Sequence, residues 1–110
     1  MKHLVLQLRQ HYIVVMALRF EWDARKSSSN VRKHGVTFQE AQSAFADPNG
    51  RIIGDPDHSD EEDRFILLGL SHVLRLLVVV HMFREEEEIV RIISARKATP
   101  RETTFYRRSR

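Results

Sequence analysis

Arg91 and Arg96 stand five residues apart in the apolar run that begins at Ile89, and they are the residues best suited to chemistry. A guanidinium group grips a phosphate through two parallel hydrogen bonds and stabilises the charge that grows on a phosphorane, which suits phosphodiester cleavage. In a regular strand the two positions project from opposite faces, so one of them should face a cleft. Arg91 shares its face with Ile89, Ile93 and Ala95, an arginine among apolar neighbours; the structural alternative is a pair with a glutamate on a neighbouring strand. His34, just before Gly35, can interact with the last carbonyls of a helix or act as general acid or base near neutral pH. His81 lies inside an apolar run and reads as a core histidine.

Asp55-Pro56-Asp57-His58 and Asp60-Glu61-Glu62-Asp63 form the densest group of potential metal ligands. Neither a calcium-loop spacing nor the two-histidine zinc helix pattern fits them, and Asp-Pro followed by Asp and Ser is ordinary turn chemistry, so no metal site is expected. Glu62 and Arg64 could form an ion pair at the border of a cleft. Phe105 and Tyr106 could stack on RNA bases or anchor their helix to a sheet. Trp22 reads as packed.

These residues need elements to position them. Asp23 caps a helix over Ala24 to His34, which Gly35 ends. Thr37-Phe38-Gln39-Glu40 fits a capping box for a second helix, whose apolar face is Phe38, Ala41 and Phe45 and which Asp47-Pro48-Asn49-Gly50 stops. Short runs rich in Ile, Leu and Val follow: Arg51 to Ile53, Arg64 to Leu70, Leu74 to Met82 and Ile89 to Ala95. They predict an antiparallel meander with Leu76 to Val80 central, since short connections pair consecutive strands. Thr99-Pro100-Arg101-Glu102 opens a last, basic helix to about Arg108. The fold class expected is α+β: two N-terminal helices, a meander sheet and a C-terminal helix.

At 110 residues the chain forms one domain, and without cysteine it has no disulfide, thiolate zinc site or cysteine nucleophile. Residues 1–15 read as an extension of uncertain role, too interrupted by polar residues to be a signal peptide or membrane span, and residues 16–110 as the domain. The net charge of +3 is segregated: +5 over residues 1–34, −8 over 35–90 and +6 over 91–110. If the fold joins the two basic ends, they form a phosphate-attracting surface on an acidic body.

Phe20-Glu21-Trp22-Asp23, Asn30 to Val36, Phe38 to Pro48, Asp55 to His58, Arg64 to Gly69, Leu77 to His81 and Arg91 to Thr99, in this order and at these spacings, resemble the BrnT family over roughly residues 19–106. BrnT proteins are ribonuclease toxins of type II toxin–antitoxin pairs, with a fold similar to RelE toxins and an antitoxin, BrnA, that carries a ribbon-helix-helix DNA-binding domain. The resemblance implies a cytoplasmic, metal-independent and cofactor-free endoribonuclease that blocks translation by cutting RNA through its 2′-hydroxyl. The implied partners are RNA, a BrnA-like antitoxin and, through that complex alone, operator DNA; no membrane is implied. Arg64, Arg91, Arg96 and Lys97 would surround the phosphate, with His34 or Glu62 as proton acceptor and Lys33 as an electrostatic contributor; Arg101 and Tyr106 would touch RNA. Lys97 stands where the family often has a second arginine, which keeps charge and loses bidentate geometry. A non-catalytic module of the same fold, binding nucleic acid or antitoxin, is the alternative from another class.

Overall fold

Asp23 has extended backbone, and its carboxylate accepts from the amides of Arg25 and Lys26, two donors that an opening helical turn leaves without partners. Helix α1 (Ala24–His34) follows. It ends at Gly35, whose φ of 68° is the left-handed conformation that glycine adopts without steric cost. The computed structural model describes residues 18–56, 64–84 and 88–108. The N-terminal extension expected over residues 1–15 lies outside them.

Helix α2 (Phe38–Ser43) is capped by the Thr37 hydroxyl, which accepts from the Glu40 amide at 3.0 Å, and it passes into a turn of 3-10 helix over Ala44–Ala46. The reciprocal half of the expected capping box is replaced. The buried Glu40 carboxylate instead takes Ser71 Oγ at 2.8 Å and Arg75 Nε at 2.9 Å, because a carboxylate out of water needs a matching charge more than a backbone amide does. In helix α3 (Pro100–Arg108) the box is complete: Glu102 donates its amide to Thr99 Oγ1 at 3.1 Å and accepts the Thr99 amide at 2.8 Å.

Among the described residues five strands form one sheet: β1 (Arg19–Glu21), β2 (Arg51–Gly54), β3 (Arg64–Leu70), β4 (Leu76–Arg84) and β5 (Ile89–Lys97), in the order β1-β5-β4-β3-β2. The β2 to β5 meander is antiparallel, as the sequence pattern predicts. β1 corrects that expectation, since it precedes the helices and pairs parallel with β5, which makes the sheet mixed. Three residues are too few for a period to show. β4 also starts later than Leu74, because Leu74, at φ 64°, belongs to the turn.

Helices α1 and α2 cover one face of this α+β fold. Val36, Phe38 and Phe45 pack there on Leu67, Leu77, Val79, Phe83, Val90, Ile92 and Ala95. Phe38 and Leu77 are wholly buried, each stabilising the fold by about 1.5–3 kcal/mol relative to an exposed side chain. Asn30 of α1 joins the layers: its Nδ2 donates to the carbonyls of Val36 and Ala95 at 2.9 and 2.8 Å, and its Oδ1 accepts the Ala95 amide at 3.0 Å. It satisfies backbone groups of β5 beyond the end of the short β1. On the other face α3 covers a smaller cluster, Leu68 and Val78 under Tyr106.

Candidate phosphate-binding face

Val80 pairs with Ser94 and His81 with Ile92, so Ile93 is an extra residue in β5, a β-bulge. The bulge reverses the expected geometry of the two arginines. Val78 opposes Arg96, Val80 opposes Ser94 and Met82 opposes Arg91; alternate residues of β4 share a face, so Arg91 and Arg96 project from the same side. Arg64 also opposes Met82, from β3, and therefore stands two strands from Arg91, about 10 Å away. Arg51 of β2 opposes Leu68 on this face as well. Arg64, Arg91, Arg96 and Arg51 thus border an apolar floor.

Among the described residues, helix α3 covers one end of that floor. Tyr106 is buried against Leu68 and Val78, and its hydroxyl donates to Asp47 Oδ2 at 2.5 Å, the oxygen that also accepts the Leu70 amide at 2.8 Å. Tyr106 anchors the helix, so its ring is not open to a base. Phe105 is the exposed ring, at 48%, with the Arg51 guanidinium 5.6 Å from its centroid. Beside α3 lies a cavity of about 290 Å³ floored by Ile53, Ile66, Leu68 and Val78. Arg51, Arg96, Glu102 and Phe105 rim it.

The arginines are held by carboxylates. Arg96 meets Glu102 in a bidentate pair, with Nη1 and Nη2 each 2.9 Å from an oxygen. The guanidinium holds the Glu102 carboxyl down to about 2 against the opposing effect of burial. Arg91 donates to Glu21 Oε2 at 3.0 Å, and Arg84 bonds to the same oxygen. Arg91, then Arg84, lowers the Glu21 pKa. Glu21 lies directly opposite Arg91 on β1, so the neighbouring-strand glutamate open at the level of sequence is present. Both pairs are partly exposed to water, which screens them, so a phosphate can compete for either guanidinium.

The residues expected to form one site are divided. Arg64, Arg91 and Arg96 share the α3 face. Lys33 and His34 are exposed at the end of α1 on the opposite layer, and Lys97, which opposes Leu77, points to that layer too. Arg101 lies on the outer side of α3 with Thr104 and Arg108. Glu62, Asp57 and His58 lie outside the described residues. Sequence reasoning missed Arg51 and Glu21 at the site, and Glu102 as more than a helix cap. An arginine opening the apolar run Arg51-Ile52-Ile53 is a signal for the first; the others require the register.

His81 is a core residue, as expected. It is fully buried among Phe45, Phe65 and Phe83, with ring centroids 4.8, 6.2 and 5.1 Å away. Burial pushes its pKa down to about 4, and Nδ1–H donates to the Val79 carbonyl at 3.1 Å. Among the described residues no three His, Asp or Glu side chains gather as a metal site, and no helix is long and apolar enough to cross a membrane.

A search of curated protein sequences finds no match. The 1.1 Å crystal structure of the Brucella abortus ribonuclease toxin BrnT is similar in fold, with a TM-score of 0.59 and 21% identity over 74% of this chain and 97% of that one. The family model for the ribonuclease toxin BrnT of type II toxin–antitoxin systems matches residues 22–102. The chain therefore belongs to the BrnT family of type II toxin–antitoxin ribonuclease toxins.

Proposed function

We propose that the chain is a metal-independent endoribonuclease that blocks translation by cutting RNA, and that it acts in the cytoplasm until an antitoxin covers its basic face. The observation that carries this reading is the meeting of Arg64, Arg91 and Arg96 on one open face of the sheet. There they can hold a phosphodiester and offset the charge that grows on phosphorus. The ribose 2′-oxygen attacks that phosphorus as its proton passes to a base. The bond to the 5′-oxygen breaks, that oxygen takes a proton, and the products are a 2′,3′-cyclic phosphate and a 5′-hydroxyl. Of the two candidate bases, His34 stands on the α1 layer, across the sheet from the arginines, which leaves Glu62 for this role. Lys33, Lys97 and Arg101 extend the positive potential along which the strand approaches. RelE toxins share this type of fold in our reading. The partner is a BrnA-like antitoxin with a ribbon-helix-helix domain, which supplies carboxylates to the arginines and carries the complex to operator DNA.

The test is to incubate the chain, free of its partner, with long unstructured RNA in excess EDTA beside Arg91→Ala, and to analyse the fragment ends. Cyclic phosphate ends that vanish with Arg91→Ala are expected. The carboxylate pairs of Arg91 and Arg96 favour a second reading, a face that binds RNA or antitoxin without turnover. In that case Arg91→Ala weakens binding and flattens its salt dependence while wild-type protein leaves RNA intact.

A further inference from the structure

The cavity beside α3 combines three features that a bare phosphate does not require: an apolar floor, an exposed aromatic ring and a volume of about 290 Å³. We infer that it is a nucleobase subsite, which takes one unpaired base of a single-stranded RNA whose backbone lies on the arginines; this rests on the ribonuclease reading above. The volume lies at the lower end of ligand sites, about 300–1,000 Å³, which suits one planar ring system and is too small for a stacked pair. Ile53 and Ile66 give the accessible apolar surface for the base to cover, with the buried Leu68 and Val78 behind them. Phe105 offers a ring for it to stack on, and Arg51, 5.6 Å from that ring's centroid, adds a cation to the stack and to the adjoining phosphate.

Charge complementarity sets the occupant. The Arg96–Glu102 pair places donors and an acceptor at the rim, where a base edge carries both, while Arg51 attracts the anionic backbone. A base paired in a duplex has its faces covered by its neighbours, so double-stranded RNA is excluded from the subsite.

The test measures binding, separately from cleavage. Fluorescence anisotropy compares a labelled 2′-O-methyl hexanucleotide, which cannot be cut, with an abasic strand of equal length and charge. The base-bearing strand is expected to bind about 5- to 150-fold more tightly, the range for one stacked base. Phe105→Ala should abolish that preference and Phe105→Trp should keep it. Ile53→Trp, at a half-exposed position, should fill the cavity and abolish the preference as well. Circular dichroism confirms that each variant is folded, and all three should bind the abasic strand like the wild type. Equal wild-type affinity for the two strands, or a preference that survives both Phe105→Ala and Ile53→Trp, overturns the subsite; the RNA reading then stands without it and the apolar face is left to a protein partner. If the wild type binds neither strand, the RNA reading fails and takes the subsite with it.

Discussion

The two faces of the sheet are built from the same strands and differ in what they do with polar groups. On the α1 and α2 face the core side chains are sealed, and two polar groups enclosed there are matched in place: Asn30 on the backbone of β5, and Glu40 on Ser71 and Arg75. On the α3 face one helix covers one end, and the arginines carry partners that water also reaches. The first arrangement supports stability and tolerates little exchange; the second leaves its charged groups able to change partners. A chain of this size cannot keep both faces open, since one face has to supply the core.

The comparison breaks first in the core. Leu77→Ala should cost about 2–5 kcal/mol and Phe38→Ala about 3–5 kcal/mol in urea denaturation, because each leaves a cavity in the sealed layer. Ile53→Ala, on the open face and half exposed, should cost less than about 1 kcal/mol. Equal losses on the two faces would mean that the α3 face is packed as tightly as the other.

Acid sharpens the same contrast. The His81 ring binds a proton below pH 6.5 in the unfolded chain but only below about 4 in the folded one. Stability from this group is therefore fully present above pH 6.5 and is lost as pH falls toward 4, by about 3 kcal/mol at the usual 1.4 kcal/mol per unit. His81→Leu should flatten stability across that window. Glu102 acts lower: its folded pKa of about 2 lies below the ordinary 4.5, so its contribution is present above pH 4.5 and lost as pH falls through 2. The His81 and Glu102 contributions should thus fade in successive pH ranges, which denaturation midpoints at closely spaced pH values resolve.

The α3 face was less legible in the sequence than the sealed one, for a local reason. Capping residues and periods of two and 3.6 are written in contiguous residues, so Asp23, Gly35, Thr99 and the meander could be read directly. A β-bulge is written in a register shift between two strands, and Ile93 looks like any strand isoleucine. Missing it put Arg91 and Arg96 on opposite faces. The short β1 hid in the same way, because its evidence is the pairing of Glu21 with Arg91 rather than a pattern of its own. Tyr106 and Phe105 were indistinguishable until α3 was docked, when one ring became the anchor and the other stayed exposed.

The smallest effect tests whether the open face carries exchangeable charge. Arg84 and Arg91 share Glu21, so Arg84→Ala leaves the carboxylate with a guanidinium partner 3.0 Å away. The lost pair is half exposed, where solvent screening leaves it little net value, so the shift in the urea midpoint should be small. Glu40→Ala gives the contrast, since Glu40 is buried beneath Arg75 and its removal strips the guanidinium and Ser71 of their acceptor together. That loss should exceed the Arg84 loss several-fold, and salt should diminish the Arg84 effect while leaving most of the Glu40 effect intact. An Arg84→Ala cost as large and as salt-insensitive as that of Glu40→Ala would show that Glu21 fixes the arginines rigidly, and a phosphate could then not displace it.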